Sequence, residues 1–172
     1  MSRALVLTAV AVLALAGCKP EPKAEDAQPE AQVARPAAAP KAGEWAFGMG
    51  RNSVEMVHLP TGDPARPDLR MVCALGDGFL ILMPEFKPAA GEARLTIGAN
   101  GAAEALVAVA AARRGVQATG PIAEPLLRVI EGGAPLRVKH GVQTAGPIDP
   151  PPPAMRRAFT DTCRKLNSQG QI

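Results

Sequence analysis

The sequence predicts an α+β domain, built from a small antiparallel sheet of two hairpins with two short helices on one face and one disulfide. Three observations support this prediction. Apolar residues recur at every second position beside two glycine-containing turns, which is typical of β-hairpins. Two helix-like runs follow prolines in the C-terminal third. Cys73 and Cys163 remain as an even pair once Cys18 is assigned another role.

Length and composition limit the chain to one modest hydrophobic core. It has 172 residues, with 17 Gly, 18 Pro, no Tyr and 3% aromatic residues, enough for a single small domain. Its 19 basic and 16 acidic residues give a net charge of +3. Nucleic-acid-binding proteins concentrate far more positive charge, so we expect no nucleic-acid partner.

The N-terminal residues 1–17 have the features of a secretion signal peptide. Arg3 supplies a positive charge, and residues 4–16 form an apolar run that is shorter than the roughly 20 residues needed to span a bilayer. The run ends in Leu15-Ala16-Gly17-Cys18, which resembles the lipobox of bacterial lipoproteins. The resemblance implies cleavage before Cys18, diacylation of its thiol with palmitate-type chains and often acylation of the new N-terminus. The alternative is a cysteine that lies by chance near an ordinary cleavage site.

Two or more acyl chains would anchor the protein stably in a membrane. In Gram-negative lipoproteins an Asp after the lipidated cysteine commonly marks retention in the inner membrane, whereas Lys19 stands here. We therefore expect a protein of the bacterial cell envelope that is anchored in the outer membrane and faces the periplasm. The membrane is its first expected partner.

Residues 18–43 comprise the lipidated cysteine and a tether rich in Pro and Ala. Residues 19–43 hold five Pro, eight Ala and eight charged residues that sum to zero. Such a segment buries too little apolar surface to offset its ordering entropy, which predicts disorder. The alternative is a Pro/Ala-rich ligand for a specific partner. A single periplasmic domain then occupies residues 44–166, and residues 167–172 form a polar tail.

The first predicted hairpin covers residues 69–83. Leu69, Met71 and Cys73 alternate with other residues, the turn Gly76-Asp77-Gly78 follows, and a second apolar run ends before a proline. This spacing places Cys73 on the inward face of a β-hairpin. Residues 45–49 and 54–59 are plausible strands upstream of it.

The second predicted hairpin surrounds Asn100-Gly101, the preferred pair for a type I′ turn. Its strands would be residues 94–97 and 104–109. Residues 102–114 also fit a short helix, because they are rich in Ala, end in two Arg and precede Gly115. The sequence is therefore compatible with a strand or a helix over residues 102–114, and the Asn100-Gly101 turn favours the strand.

An internal repeat occupies the C-terminal third. Residues 115–122, GVQATGPI, recur as residues 141–148, GVQTAGPI. A helix-like run follows each copy, at residues 124–130 and 154–166. We interpret the repeat as two strand-to-helix units whose helices cover one side of the sheet. The alternative is a pair of loops that grasp one ligand.

The pair Cys73 and Cys163 predicts a structural disulfide in an oxidising compartment. Neither residue has a second Cys at C-x-x-C spacing, so we expect no metal, redox or other cofactor. Residues 69–166 also resemble a loose group of small periplasmic domains. This group includes the type VI secretion-associated lipoprotein-like domain and uncharacterised proteobacterial lipoproteins. The resemblance rests on the early Cys, the hairpin, the pattern of residues 125–133 and the last helix with Cys163. It implies an α+β fold with a sheet-to-helix disulfide and supplies no catalytic residue.

Catalytic patterns are scarce in this sequence. His58 and His140 lie outside every familiar metal spacing, although either could meet a carboxylate in space, with Asp63, Asp77 and Glu55 as candidates. Ser53 and Ser168 have no nucleophile motif. Glu85 with Glu92, or Glu55 with Asp63, would be the carboxylate pairs of a glycosidase. We expect no enzymatic activity.

Basic residues are frequent in the C-terminal half, where they could bind anionic glycans, lipid headgroups or peptidoglycan carboxylates, or simply face solvent. They are Arg113, Arg114, Arg137, Lys139, Arg156, Arg157, Arg164 and Lys165. The sequence thus predicts a lipid-anchored envelope protein whose small domain binds or assembles with an envelope protein or glycan. The alternatives are a hydrolase of envelope polymers and an accessory lipoprotein of a secretion apparatus.

Overall fold

The computed structural model describes residues 41–112 and 114–170. The predicted signal peptide, Cys18 and residues 19–40 of the tether lie outside the described residues, as do Arg113 and residues 171–172. Within the described ranges, neither helix is long and apolar enough to cross a membrane.

Nine strands and two helices make up the described part of the chain. The strands are β1 Glu44–Met49, β2 Ser53–Leu59, β3 Leu69–Ala74, β4 Gly78–Met83, β5 Arg94–Ala99, β6 Ala102–Ala110, β7 Val116–Gly120, β8 Leu136–His140 and β9 Gln143–Ile148. Helix α1, Glu124–Glu131, lies between β7 and β8, and α2, Pro153–Gln169, follows β9.

All nine strands form one antiparallel sheet in the order β1-β2-β3-β4-β7-β6-β5-β8-β9. The predicted small sheet of two hairpins is therefore wrong. Both hairpins exist, as β3–β4 and β5–β6, but β7 inserts between them and joins them into one sheet. The physical reason is that each hairpin alone would leave unpaired backbone groups along its edges. Pairing with β2, β7 and β8 satisfies them.

The second hairpin settles the state of residues 102–110, which form strand β6 rather than a helix. Asn100 has a φ of 50° and Gly101 a φ of 80°, as a type I′ turn requires. The strand alternative is confirmed over these nine residues.

One face of the sheet supplies most of the core. Every second residue of the strands is buried there, and both helices pack against that face. Phe159 of α2 meets Phe79 of β4 edge to face, with ring centroids 6.2 Å apart, the arrangement that aromatic pairs prefer. All buried core residues of the described ranges lie between Trp45 and Leu166. A chain that begins at Lys19 therefore keeps all of these core residues.

The predicted disulfide between Cys73 and Cys163 is present. It joins β3 to α2 across 90 residues of sequence, and both cysteines are fully buried. Cys163 lies on the same apolar side of α2 as Phe159 and Leu166. The bond thus fixes the last helix onto the inner face of the sheet.

The two copies of the repeat form β7 and β9, and a helix follows each strand. The strand-to-helix interpretation is confirmed. Each copy begins at a glycine with positive φ, 94° at Gly115 and 59° at Gly141. Three strands separate β7 from β9 in the sheet, so the copies are not neighbours in one binding loop.

Candidate functional site

His58, one of the two candidate bases, lies on the inner face at the end of β2. It is 8% exposed, and its Nδ1 lies 2.7 Å from Oδ1 of Asp68. The indole ring of Trp45 packs beside the imidazole at 5.1 Å between centroids. The structure therefore brings His58 to a carboxylate, but this carboxylate is Asp68 and not Asp63, Asp77 or Glu55.

The His58–Asp68 pair opens onto a cleft of about 400 Å³ where the chain after β9 approaches the start of β1. Trp45 Nε1 joins these two segments by donating a hydrogen bond of 2.8 Å to the carbonyl oxygen of Asp149. The described residues that line the cleft include Asp149 and Pro147 but no Ser, Thr or Cys. The cleft thus offers an imidazole and carboxylates, and no side-chain hydroxyl or thiol nucleophile.

His140 has a structural role. Its Nδ1 lies 3.0 Å from the carbonyl oxygen of Arg94, and the backbone N–H of Ala89 points to its Nε2 at 3.4 Å. Because Nε2 accepts from the N–H of Ala89, Nδ1 is the nitrogen that donates to the carbonyl oxygen of Arg94. His140 is 2% exposed and holds the loop before β5 against β8.

The other predicted catalytic groups make contacts elsewhere or lie outside the His58 cleft. Neither Ser53 nor Ser168 lines the His58 cleft. The four carboxylates predicted as glycosidase pairs each contact a basic side chain or a backbone amide instead. These contacts are Glu85 with Arg114, Glu55 with Arg70, Asp63 with Arg66, and Glu92 with the N–H of Arg94.

The four basic residues of α2 differ in their contacts. Arg156 donates hydrogen bonds to the carbonyl oxygens of Glu131 and Pro151. Arg164 binds Glu124 and Glu131 of α1 at 2.7 and 2.8 Å, and Asp161 of its own helix at 3.2 Å. The hydrogen bond from Arg164 lowers the pKa of Glu124, and the bonds to the two glutamates raise the pKa of Arg164. Arg164 therefore ties the two helices together. Arg157 and Lys165 are exposed.

Arg137 and Lys139 form a different kind of basic site on the outer face of the sheet. Leu136, Val138 and His140 of β8 are buried, so the two basic side chains between them point outward. Within the described residues, neither makes an ion pair or a side-chain hydrogen bond. Two adjacent cations are thus presented to solvent on a rigid strand.

A cleft of about 480 Å³ lies beside these two cations, within the range of small-molecule sites. The β5–β6 hairpin forms its floor, because Gly98 lies opposite Arg137 and Thr96 lies opposite Lys139 in the strand register. The lining residues are Thr96, Gly98, Ala99, Asn100, Gly101, Ala102, Ala103, Pro135, Arg137, Lys139 and Pro147. None of these side chains is acidic. We call this the β5–β8 cleft.

Gly98 gives this cleft its flat floor. A Cβ atom at this position would lie 2.6 Å from the carbonyl oxygen of Ala102 and 3.0 Å from Cβ of Ala103. Only glycine lets the hairpin backbone approach this closely. The sequence pointed to Arg137 with Lys139 and to the Asn100-Gly101 turn, but not to their meeting. The one relevant signal in the sequence was the alternation of apolar and basic residues along β8, which places Arg137 and Lys139 on the outer face.

Comparisons of the chain with protein-family models, curated proteins and solved structures found no match. The resemblances to lipobox lipoproteins and to the secretion-associated domain therefore stay predictions. The β5–β8 cleft and the His58 cleft are the two candidate sites.

Proposed function

We propose that this chain is a lipid-anchored protein of a bacterial cell envelope whose periplasmic domain binds an anionic envelope component in the β5–β8 cleft. The observation that supports this most directly is the pair Arg137 and Lys139, which share the exposed face of β8 without an acidic neighbour among the residues lining the cleft. Unneutralised cations beside a cleft raise the local concentration of anions and attract them from a distance.

The fold supports binding more than catalysis. His140 is occupied by backbone groups, and no hydroxyl or thiol lines the His58 cleft among the described residues. The proposed partner is an anionic glycan or an acidic surface of an envelope protein, with no cofactor. Since the cations are exposed, salt should weaken this binding strongly.

Binding is tested with the unlipidated chain that begins at Lys19, which keeps every core residue of the described ranges. The probe is fluorescent poly-glutamate, titrated at low and at 0.3 M salt. We expect Arg137→Gln/Lys139→Gln to weaken binding at low salt at least tenfold. The matched control, Arg157→Gln/Lys165→Gln, removes the same charge from exposed positions of α2 and should change binding less than twofold. Equal losses in both variants would refute the assignment of the cleft.

The anchor is tested separately by the intact mass of the protein extracted from membranes. The proposal predicts loss of residues 1–17 and added acyl mass on Cys18, and Cys18→Ala should remove that mass. A full-length chain without acyl groups would refute the anchor and leave the binding test unaffected.

The hydrogen-bonded pair His58 and Asp68 favours a second candidate function, hydrolysis of an envelope polymer. A histidine held by a carboxylate can act as a general base toward water. This candidate predicts that the purified chain releases soluble fragments from isolated cell-wall polymer, and that His58→Gln abolishes the release. No release by the unaltered chain would exclude it and would agree with a binding role.

A further inference from the structure

The β5–β8 cleft has a floor as well as a charge, and the floor indicates the class of ligand. We propose that the cleft binds an acidic saccharide, a sugar ring that carries a carboxylate or phosphate group. This inference rests on the proposed anion-binding function and adds the chemical class of the ligand. Three parts of the cleft match three parts of such a molecule.

The acidic group of the ligand matches the β8 side of the cleft. Arg137 presents a planar guanidinium that can hold a carboxylate or phosphate by two parallel hydrogen bonds. Lys139, two residues along the same exposed face, adds a compact positive charge. Because Arg137 and Lys139 have no acidic partner among the described residues, a ligand would not have to displace one.

The ring of the ligand matches the floor. Gly98, Gly101, Ala102 and Ala103 place no side chain larger than a methyl group over the hairpin backbone. Ala103 lies beside Gly98 in the register and is exposed. The floor is therefore shallow and flat, and the rings of Pro135 and Pro147 complete the lining. These C–H-rich surfaces suit the apolar face of a sugar ring, whereas a bare inorganic anion would leave them uncovered.

The hydroxyl groups of the ligand match two neutral polar side chains. Thr96 and Asn100 both line the cleft, and neither side chain hydrogen-bonds another residue of the described ranges. A hydroxyl and a carboxamide each donate and accept hydrogen bonds, so they can serve sugar hydroxyls in either sense. A simple acidic peptide would offer few groups to satisfy them.

The test compares ligands of equal charge and different shape on the chain that begins at Lys19. The probes are trigalacturonate against triglutamate that is acetylated at its N-terminus and amidated at its C-terminus, glucose 6-phosphate against inorganic phosphate, and maltotriose as a neutral sugar. We expect at least one acidic sugar to bind tenfold more tightly than its charge-matched partner, and maltotriose not to bind. Which acidic sugar binds identifies carboxylate or phosphate as the group that Arg137 and Lys139 hold.

A variant of the floor separates shape from charge. Ala103→Leu places a larger side chain over the floor without changing charge, at a position already exposed to solvent. It should weaken binding of the acidic sugar at least tenfold and leave poly-glutamate binding within twofold. The matched control is Ala110→Leu, at an exposed position at the far end of β6, and it should change neither.

Two results overturn the inference while the proposed function stands. One is equal affinity for sugars and their charge-matched partners, and the other is an equal effect of Ala103→Leu on sugar and poly-glutamate. Failure of the proposed function looks different, because then no anion binds in a way that depends on Arg137 and Lys139.

Discussion

Removing the disulfide should destabilise the domain by about 4 to 5 kcal/mol. The bond closes a loop of 90 residues between Cys73 and Cys163. On the chain-entropy model, a loop of this length removes roughly 15 cal/mol/K from the unfolded ensemble, or about 4.6 kcal/mol at 25 °C. Small domains are stable by only about 5–15 kcal/mol. The bond therefore supplies a large share of the net stability.

The assay is urea unfolding followed by the fluorescence of Trp45, the single Trp of the chain, which is 8% exposed. Cys73→Ala/Cys163→Ala should lower the free energy of unfolding by the amount given above. Reductant should lower it similarly in the unaltered chain and should have no effect on the double variant. A loss below about 1 kcal/mol in both experiments would refute the entropic reasoning.

Three further predictions concern the helices and turns. Arg164→Gln should lower stability at pH 7. Because the folded pKa of Glu124 lies below its ordinary 4.5, its pairing stabilises the fold above that pH and is lost as the pH falls through the lowered value. The variant should therefore show a weaker acid dependence in urea unfolding measured from pH 7 to pH 3. Phe159→Ala should cost about 3–5 kcal/mol by the same assay at pH 7, because it empties a fully buried site, and a cost below 1 kcal/mol would contradict the packing. Gly115→Ala should destabilise more than Gly101→Ala by thermal melting, because only at Gly115 does the added Cβ collide with backbone, the carbonyl of Met83. Equal shifts in melting temperature would show that the positive φ alone, and not the collision with backbone, determines the loss of stability.

Local features of the fold could be predicted from the sequence. The Asn100-Gly101 turn, the inward position of Cys73 and the disulfide follow from two-residue periodicity and from cysteine count. These are properties of neighbouring residues, or of a pair with no other partner, and they need no knowledge of the whole sheet.

The order of the strands could not be predicted in this way. Strand β7 pairs with β4 and β6, and β8 pairs with β5 across about 40 residues. Alternation tells which residues face inward, but any inward-facing strand can pair with any other. The same gap hid the β5–β8 cleft, because Thr96 and Gly98 become cleft residues only when β8 lies beside β5. For His58, the nearby carboxylates were equivalent in sequence, and the loop geometry selected Asp68.

Helix α2 follows all nine strands in the sequence, and this order affects how the protein can be made. Phe159, Cys163 and Leu166 come from the last helix, yet they cover residues of β2, β3 and β4 that are made about 80 to 110 residues earlier. A chain interrupted before residue 153 would therefore leave Met56 and Phe79 without their cover. Synthesis must pass Leu166 before the inner face is shielded from water. A product without α2 would display this apolar surface to the proteases and chaperones that act on unfolded chains, so the helix also determines how long the inner face of the new sheet stays exposed to them.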